Sequence, residues 1–148
     1  MMIMIIKLFK ILKSYFMNIN MNFIDCSKVY VKKTNEDYGV FSKNDIKKDD
    51  LIENGIAQRI DYDGNKNTHL FSWSDDKKDW AFGSGCSTYY NTSLDPNVRM
   101  DRDFKNDLYH IYALKDIKKD EELTHKYKSL EWRECFEDLR NILDLNNL

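Results

Sequence analysis

The sequence is poor in the residues that interrupt regular backbone structure: it has one proline and five glycines among 148 residues. This scarcity excludes a collagen-like or low-complexity chain, which requires far more of either residue. All of these residues lie between Gly39 and Pro96. The turn signals that glycine and proline provide therefore all fall in this stretch, and we expect functional residues there.

The sequence also lacks closely spaced pairs of cysteines. No two cysteines have the close spacing of a zinc site, and an odd number of distant cysteines does not form a secreted disulfide framework. We therefore expect reduced thiols and an intracellular protein, nuclear or cytoplasmic and not secreted. The histidines are scattered, so no metal centre is predicted, and His125 is expected at the surface. The cysteines are Cys26, Cys86 and Cys135, and the other histidines are His69 and His110.

The chain has no excess of one charge. It carries 23 basic and 25 acidic residues, a formal net charge of −2. This balance excludes a strongly basic nucleic-acid binder of the histone or ribosomal kind, and we expect no direct binding of nucleic acid. Hydrophobic residues make up 42% and charged residues 32%, which argues against a disordered chain. A length of 148 residues favours one globular domain.

No apolar segment is long enough to cross a membrane. The N-terminal segment is apolar, but Lys7, Lys10 and Lys13 interrupt it, whereas a spanning helix needs about 20 apolar residues. A signal peptide is disfavoured because no small-residue cleavage site follows. Three interpretations of residues 1–22 stay open: an interfacial helix, a helix packed on the domain or a partner, or an upstream extension of little consequence. The extension is favoured, since Met17 and Met21 offer alternative starts.

The rest of the chain has the pattern of a β-rich α+β domain. Short β-branched and aromatic runs occur at residues 29–31, 38–41 and 108–114, separated by polar turns. Only residues 130–143 repeat apolar side chains at helical spacing. The predicted organisation is an extension at 1–22, a domain at 23–132 and a helix within 133–148. We expect this helix to pack on the domain or to form a homodimer contact, rather than to bind a cofactor.

One pentapeptide occurs twice. Residues 45–49 and 116–120 both read DIKKD, each copy follows a strand-like run, and each precedes an acidic residue and a leucine. Two copies are too few for a repeat protein, which needs several to build a core. They predict instead the same polar corner formed twice. Asp49 and Asp120 stand where such a corner requires a positive φ, which aspartate tolerates better than most residues.

Three motifs in order resemble those of one family. They are YGVF at residues 38–41 leading into the first DIKKD, YNTSLDPN at residues 90–97, and EELTHKY at residues 121–127. Together they resemble the SET-domain protein-lysine methyltransferases, in particular the minimal, virus-type members without zinc-binding flanking modules. The resemblance covers about residues 29–132. It implies several short sheets and a pseudoknot-like C-terminal arrangement closed by Pro96 and Asn97.

The resemblance also implies a cofactor, S-adenosylmethionine, and residues that hold it. Gly39 matches the second glycine of the family's glycine pair, and Gly85 matches a glycine before the central motif. Two positions depart from the family: Asp37 replaces the first glycine of the pair, and Thr92 replaces the histidine that follows the central asparagine. The residues expected to bind the cofactor are Tyr38, Gly39, Tyr90, Asn91, Thr92, Tyr127 and Trp132, the last as a cover for the adenine.

The implied activity is methylation of a lysine in a basic protein segment, which the resemblance suggests is a histone tail. Such a reaction requires a hydroxyl that positions the lysine amine and an aromatic channel that holds the side chain. Tyr127 is the principal candidate for this hydroxyl, with Tyr90, Tyr112 and Tyr38 as further channel residues. The peptide is expected to add as an extended strand beside a sheet. The alternative, favoured by Asp37 and Thr92, is a non-catalytic module that binds a basic peptide.

Overall fold

In the computed structural model, which describes residues 4–5, 22–35 and 37–145, the chain folds into nine strands, three short 3₁₀ helices and one C-terminal helix. The predicted β-rich α+β class is confirmed. The interpretations of residues 1–22 concern residues that lie almost entirely outside the described ones. No described helix is long and apolar enough to cross a membrane. The elements are β1 (Val29–Lys33), β2 (Tyr38–Ser42), β3 (Leu51–Ile60), β4 (Phe71–Ser72), β5 (Trp80–Gly83), β6 (Asn91–Thr92), β7 (Val98–Asp103), β8 (Leu108–Ala113), β9 (Glu122–His125), α1 (Glu137–Leu145) and the 3₁₀ helices Gly64–Lys66, Ser87–Tyr89 and Glu134–Phe136.

The strands form two sheets, with the orders β1-β2-β9-β6 and β4-β5-β3-β8-β7. All pairs are antiparallel except β6 with β9, which is parallel. In this pair Asn91 lies opposite Thr124 and Thr92 lies opposite His125. The second and third sequence motifs therefore run side by side, although about thirty residues separate them in the chain.

The side chain of Asn97 fixes β9 in this position. Its Nδ2 donates to the carbonyl oxygen of Glu122 at 2.8 Å, and its Oδ1 accepts from the backbone N–H of Thr124 at 2.8 Å. Its backbone carbonyl also accepts from the N–H of Leu114 at 2.8 Å. Asn97 thus joins the turn after Pro96 to two further segments: its side-chain amide satisfies an acceptor and a donor of β9, and its backbone carbonyl accepts from the residue after β8.

The two DIKKD corners pack against each other. Ile46 and Ile117 form a bridge, with backbone hydrogen bonds of 2.8 and 2.9 Å in the two directions. The contacts are reciprocal, since the N–H of Lys48 donates to Asp116 and the N–H of Lys119 donates to Asp45, both at 2.9 Å. The positive φ predicted at the two aspartates is confirmed, at 72° for Asp49 and 63° for Asp120. The two copies of the pentapeptide therefore form matching corners that contact each other.

Helix α1 begins later than the apolar spacing predicts. The periodic pattern starts at Leu130, whereas α1 begins at Glu137, after a 3₁₀ turn at Glu134–Phe136. Arg133, which precedes this turn, has an extended backbone with φ −76° and ψ 137°. Its guanidinium is buried and donates to the carbonyl oxygens of Leu70 and Gly64. This anchoring holds residue 133 out of a helical conformation and delays the helix.

Candidate active site

Three of the predicted site residues, Tyr38, Asn91 and Tyr127, line one pocket of about 620 Å³. This volume lies in the range of pockets for small molecules and cofactors. The pocket is bounded by the β1–β2 turn, the segment before β6, the residues after β9, and one face of α1. Its lining also includes Asp37, Thr68, His69, Thr88, Tyr89, Cys135, Phe136, Asp138, Leu139 and Ile142.

The Tyr127 side chain is fixed by contacts on several sides. Its hydroxyl donates to the carbonyl oxygen of Tyr90 at 2.8 Å, and its ring centroid lies 5.1 Å from that of Phe136. Burial raises the pKa of the phenol to about 12; the Asp37 charge acts in the same direction, whereas the Arg133 charge opposes it. The hydroxyl therefore remains protonated at neutral pH and retains its hydrogen bond to the carbonyl oxygen of Tyr90.

Thr92 holds the backbone of the same tyrosine. Its Oγ1 accepts a hydrogen bond from the N–H of Tyr127 at 3.1 Å. This contact is made across the parallel β6–β9 pairing, which places Thr92 opposite His125. The threonine that departs from the family motif therefore has a defined local role: it links the central motif to the residue that bears the phenol.

The amide of Asn91 joins three strands at the edge of the pocket. Its Nδ2 donates to the carbonyl oxygen of Tyr38 at 3.1 Å and to Oε1 of Glu122 at 2.8 Å. Gly39 lies beside this contact, and a Cβ at that position would lie 2.6 Å from the same Glu122 oxygen, so this carboxylate would have to shift. Gly39 thus acts through the close approach of β2 and β9, and it does not line the pocket itself.

The side chain of Tyr90 lies in the core rather than beside the Tyr127 hydroxyl. It is buried, and its hydroxyl donates to Oε2 of Glu53 at 2.7 Å. The other oxygen of Glu53 accepts from the hydroxyl of Tyr109 at 2.7 Å and from the N–H of Cys86 at 2.8 Å. Burial raises the pKa of Glu53, against the lowering effect of these hydrogen bonds. Tyr90 thus contributes its carbonyl to the site, while its phenol belongs to a buried network.

Gly85 packs against the same network. Its φ is +61°, and a side chain there would meet the Glu53 carboxylate. Only glycine combines this conformation with this close approach at little cost. The glycine before the central motif therefore shapes the chain around a buried carboxylate.

Tyr112 and Trp132 are not brought to the pocket. Tyr112 lies on the opposite face of β8 from the buried Tyr109, with the Arg99 guanidinium 4.7 Å from its ring centroid. Trp132 packs against Trp80, with ring centroids 6.1 Å apart, in a separate surface pocket. Their placement does not correspond to the predicted roles as channel wall and adenine cover, because each side chain points to a different surface.

The face of α1 supplies pocket residues that the sequence interpretation did not assign. Leu139 and Ile142 line the pocket together with Phe136, which precedes the helix. Their spacing of three residues places them on one face, and this signal was visible in the sequence. The prediction that this helix only packs on the domain or a dimer partner was therefore too narrow, since its apolar face also forms a pocket wall.

The prediction of a surface position for His125 is wrong. The residue is 4% exposed, and its ring lies 5.0 Å from the ring of Tyr127. It ends β9 with its side chain turned into the domain, in the same alternation that buries Leu123. Burial, together with the charges of Arg102 and Lys128, lowers its pKa from the ordinary 6.5 to about 3. His125 is therefore neutral in the folded protein.

Because His125 is neutral in the folded protein, we expect the protein to lose stability in acid. The pKa of His125 is 6.5 in the unfolded chain and about 3 in the folded chain. Its neutral form therefore contributes fully to stability above pH 6.5. This contribution falls as the pH drops from 6.5 towards 3, because the unfolded chain binds a proton that the folded chain does not. The free energy of unfolding should fall by about 2 kcal/mol between about pH 7.5 and pH 5 because of this residue. Urea unfolding at several pH values measures it.

The matched variants are His125→Phe and His110→Phe. His110 lies on the outer face of β8, where its ring is 6.4 Å from that of Tyr112. His125→Phe should flatten the stability profile in this window, whereas His110→Phe should retain the slope. In the unaltered protein, NMR signals of the His125 ring should remain those of neutral imidazole at about pH 5. A protonated ring at that pH would contradict the assignment.

The fold and pocket define a class: two sheets, a parallel strand pair that places the third motif beside the central motif, and a tyrosine at the wall of a pocket of about 620 Å³. The family model described as "SET domain" matches residues 37–128. The chain belongs to the SET-domain family.

Similar proteins are known by sequence and by structure. A histone-lysine N-methyltransferase of Schizosaccharomyces pombe, specific for H3 lysine-37, is 35% identical over 72 residues. The match spans 49% of this chain and 46% of that relative, so about half of each. A crystal structure from Plasmodium falciparum, of a candidate histone methyltransferase, has a TM-score of 0.56 and 28% identity, and the match covers 68% of this chain and 92% of that one.

The fold is also similar to part of a larger assembly. Polycomb repressive complex 2 of Chaetomium thermophilum, in an autoinhibited conformation bound to S-adenosylmethionine, has a TM-score of 0.59 at 22% identity. The match covers 83% of this chain and 17% of that one. At this identity the likeness concerns the fold alone.

Proposed function

We propose that this protein is a protein-lysine N-methyltransferase that uses S-adenosylmethionine. The observation that carries the proposal is the convergence of Tyr38, Asn91 and Tyr127 on one pocket, with the Tyr127 phenol fixed by the carbonyl oxygen of Tyr90. These positions come from three separate motifs, and the parallel pairing of β6 with β9 brings two of them together. Membership in the SET-domain family supports the same conclusion.

The residues of the pocket fit a cationic cofactor. Aromatic rings of Tyr38, Tyr89 and Phe136 form part of the wall, and aromatic faces attract cations such as a sulfonium. The carboxylates of Asp37 and Asp138 line the same pocket and complement positive charge. Leu139 and Ile142 would cover apolar parts of the cofactor. Asp37 stands where the family has the first glycine of its pair, and its carboxylate thus complements the ammonium and sulfonium groups of the cofactor.

S-adenosylmethionine, when bound, supplies an activated methyl group that a deprotonated lysine amine accepts. The protein's contribution is alignment and electrostatics. The Tyr127 hydroxyl stays protonated, and its hydrogen bond to the Tyr90 carbonyl fixes the phenol at the pocket wall. The Thr92 hydroxyl fixes the backbone of this tyrosine. An apolar surrounding that includes Phe136 favours the neutral form of the incoming amine, because burial disfavours charge.

The proposed substrate is a lysine in a basic protein segment, a histone tail in the first instance. The specificity of the Schizosaccharomyces pombe relative for a histone lysine supports this choice. The segment would add as an extended strand beside a sheet. A nuclear or cytoplasmic location is consistent with such a substrate.

The proposal is tested by calorimetric titration with S-adenosylmethionine and by transfer of labelled methyl groups to purified histones. Binding followed by transfer to lysine supports the enzyme. Absence of cofactor binding would overturn it. Cofactor binding without transfer to any histone would reject the histone substrate, and binding of a histone peptide without cofactor would favour the non-catalytic module.

Asn91→Ala should weaken the binding of S-adenosylmethionine about tenfold, which corresponds to the loss of one or two hydrogen bonds. The amide lines the pocket and orders both Tyr38 and Glu122, so its removal disturbs the wall directly. The matched control is Asn106→Ala, since the side chain of Asn106 donates to Asp103 in an exposed turn and does not line the pocket. Calorimetry measures both variants. Equal affinity of Asn91→Ala and the unaltered protein would argue against this role.

A further inference from the structure

A second, much smaller cavity is also lined by Tyr127. Its volume is about 20 Å³, and it is enclosed by the loop before β4, the segment around the 3₁₀ helix Ser87–Tyr89, β7, and the chain after β9. Three buried side-chain nitrogens in the described part of the chain have no hydrogen-bond partner: Nε of Arg102, Nε of Arg133 and Nε2 of His125. All three residues line this cavity.

The cavity is positively charged. Arg102, Arg133 and Lys128 line it, and none of its lining residues is acidic. No ion pair joins Arg102 or Arg133 to a carboxylate among residues 22–35 and 37–145. Burial, followed by the charge of Arg133, lowers the pKa of Arg102 to about 10, so both guanidiniums remain charged at neutral pH.

The other contacts of the two arginines include no carboxylate among the described residues, although the charge of Asp63 acts on Arg133 from beyond ion-pair distance. Arg133 is 2% exposed, donates to backbone carbonyl oxygens, and lies 4.9 Å from the ring centroids of Trp80 and Phe136. Arg102 donates to the carbonyl oxygen of Ser72 at 3.1 Å. Carbonyl dipoles and aromatic faces solvate a cation, but they carry no net negative charge. Buried charges in proteins are normally paired or coordinated.

We propose that this cavity binds a compact monovalent anion, chloride, between Arg102 and Arg133. The volume admits about one water-sized particle, which excludes a nucleotide, a phosphate ester or a carboxylate side chain of a partner. With its proton on Nε2, the neutral His125 ring adds a third N–H donor to those of the two arginines. Buried N–H groups without a partner that belong to residues around one cavity suit an anion, whereas a water molecule would leave the charge of both arginines in place.

The site adjoins the proposed active site without being part of it. Tyr127 and Phe136 line both the small cavity and the large pocket. A bound anion would offset positive charge close to the tyrosine where a lysine ammonium is expected to arrive. The buried nitrogens and the positive charge of the cavity do not depend on methyl transfer.

Thermal unfolding in sodium chloride and in sodium gluconate at equal ionic strength tests the proposal. Chloride should raise the Tm of the unaltered protein by about 3 °C relative to gluconate when it is in about tenfold excess over its Kd. The matched variants are Arg102→Gln and Arg99→Gln, which lie on the same strand β7. Arg99 is half-exposed and pairs with Asp101, so its variant should retain the shift. Arg102→Gln should lose it.

A crystal of the unaltered protein soaked in sodium bromide gives a test that needs no variant. An anomalous peak within hydrogen-bond distance of Arg102 and Arg133 is expected. A water molecule in that position, equal Tm values in chloride and gluconate, or a shift that persists in Arg102→Gln would each overturn the proposal. A bromide peak without any chloride-dependent shift would mean an adventitious ion only, and would overturn it as well. None of these readouts depends on enzymatic activity.

Discussion

Tyr127→Phe should lower kcat for lysine methylation about 10²–10³-fold, the range seen when one positioned hydrogen-bonding group is removed from an active site. The substitution removes only the hydroxyl, which donates to the Tyr90 carbonyl oxygen at 2.8 Å. The ring contacts with His125 and Phe136 remain. Binding of S-adenosylmethionine should therefore change little. Initial rates of labelled methyl transfer and calorimetric titration measure the two effects separately.

The matched control is Tyr112→Phe, which removes the same hydroxyl from the outer face of β8. Tyr112 contacts Arg99 and His110 there, and it does not line the pocket that holds Tyr127. Its variant should retain a kcat close to that of the unaltered protein. Equal losses in both variants, or full activity of Tyr127→Phe, would count against Tyr127 as the positioned hydroxyl. Loss of cofactor binding in Tyr127→Phe would indicate a damaged pocket instead.

Local sequence signals predicted the parts of the fold that depend on neighbours in the chain. The positive φ of Asp49 and Asp120 follows from the repeated pentapeptide, because corner geometry is a local property. The meeting of Asn91 with Tyr127 required the order of the family motifs. It arises from the parallel pairing of β6 and β9, which no local pattern in either short strand specifies.

The direction of side chains was harder to predict. In β8 both alternating sets of side chains contain tyrosine or other large residues. The alternation along the strand therefore does not indicate which set faces the core. The core takes Tyr109 and Ile111, and leaves Tyr112 outside. The same ambiguity explains His125, since the length of β9 and its pairing decide which alternate residues are buried. These choices depend on the whole sheet and cannot be read from one strand.

No pattern in the sequence indicates that an arginine is buried. Arg133 is the buried arginine whose replacement should have the largest effect on stability. Arg133→Met should lower the free energy of unfolding by about 3 kcal/mol, because the carbonyl oxygens of Leu70, Gly64 and Asn67 lose their donor inside the domain. Methionine retains most of the apolar stem but supplies no hydrogen bond. For a domain of this size, the Tm should fall by about 6 to 12 °C. Urea unfolding and calorimetry measure both quantities.

The control for this prediction is Arg99→Met, which removes the same group from a half-exposed side chain paired with Asp101. An exposed ion pair is worth about 0–1 kcal/mol, so this variant should unfold almost like the unaltered protein. Hydrogen exchange adds a local readout: in Arg133→Met, the amides of residues 64–71 should lose protection before those of β8. If the two variants were equally stable, the carbonyls around residue 133 would have found other donors, and Arg133 would not be the link between the C-terminal segment and this loop.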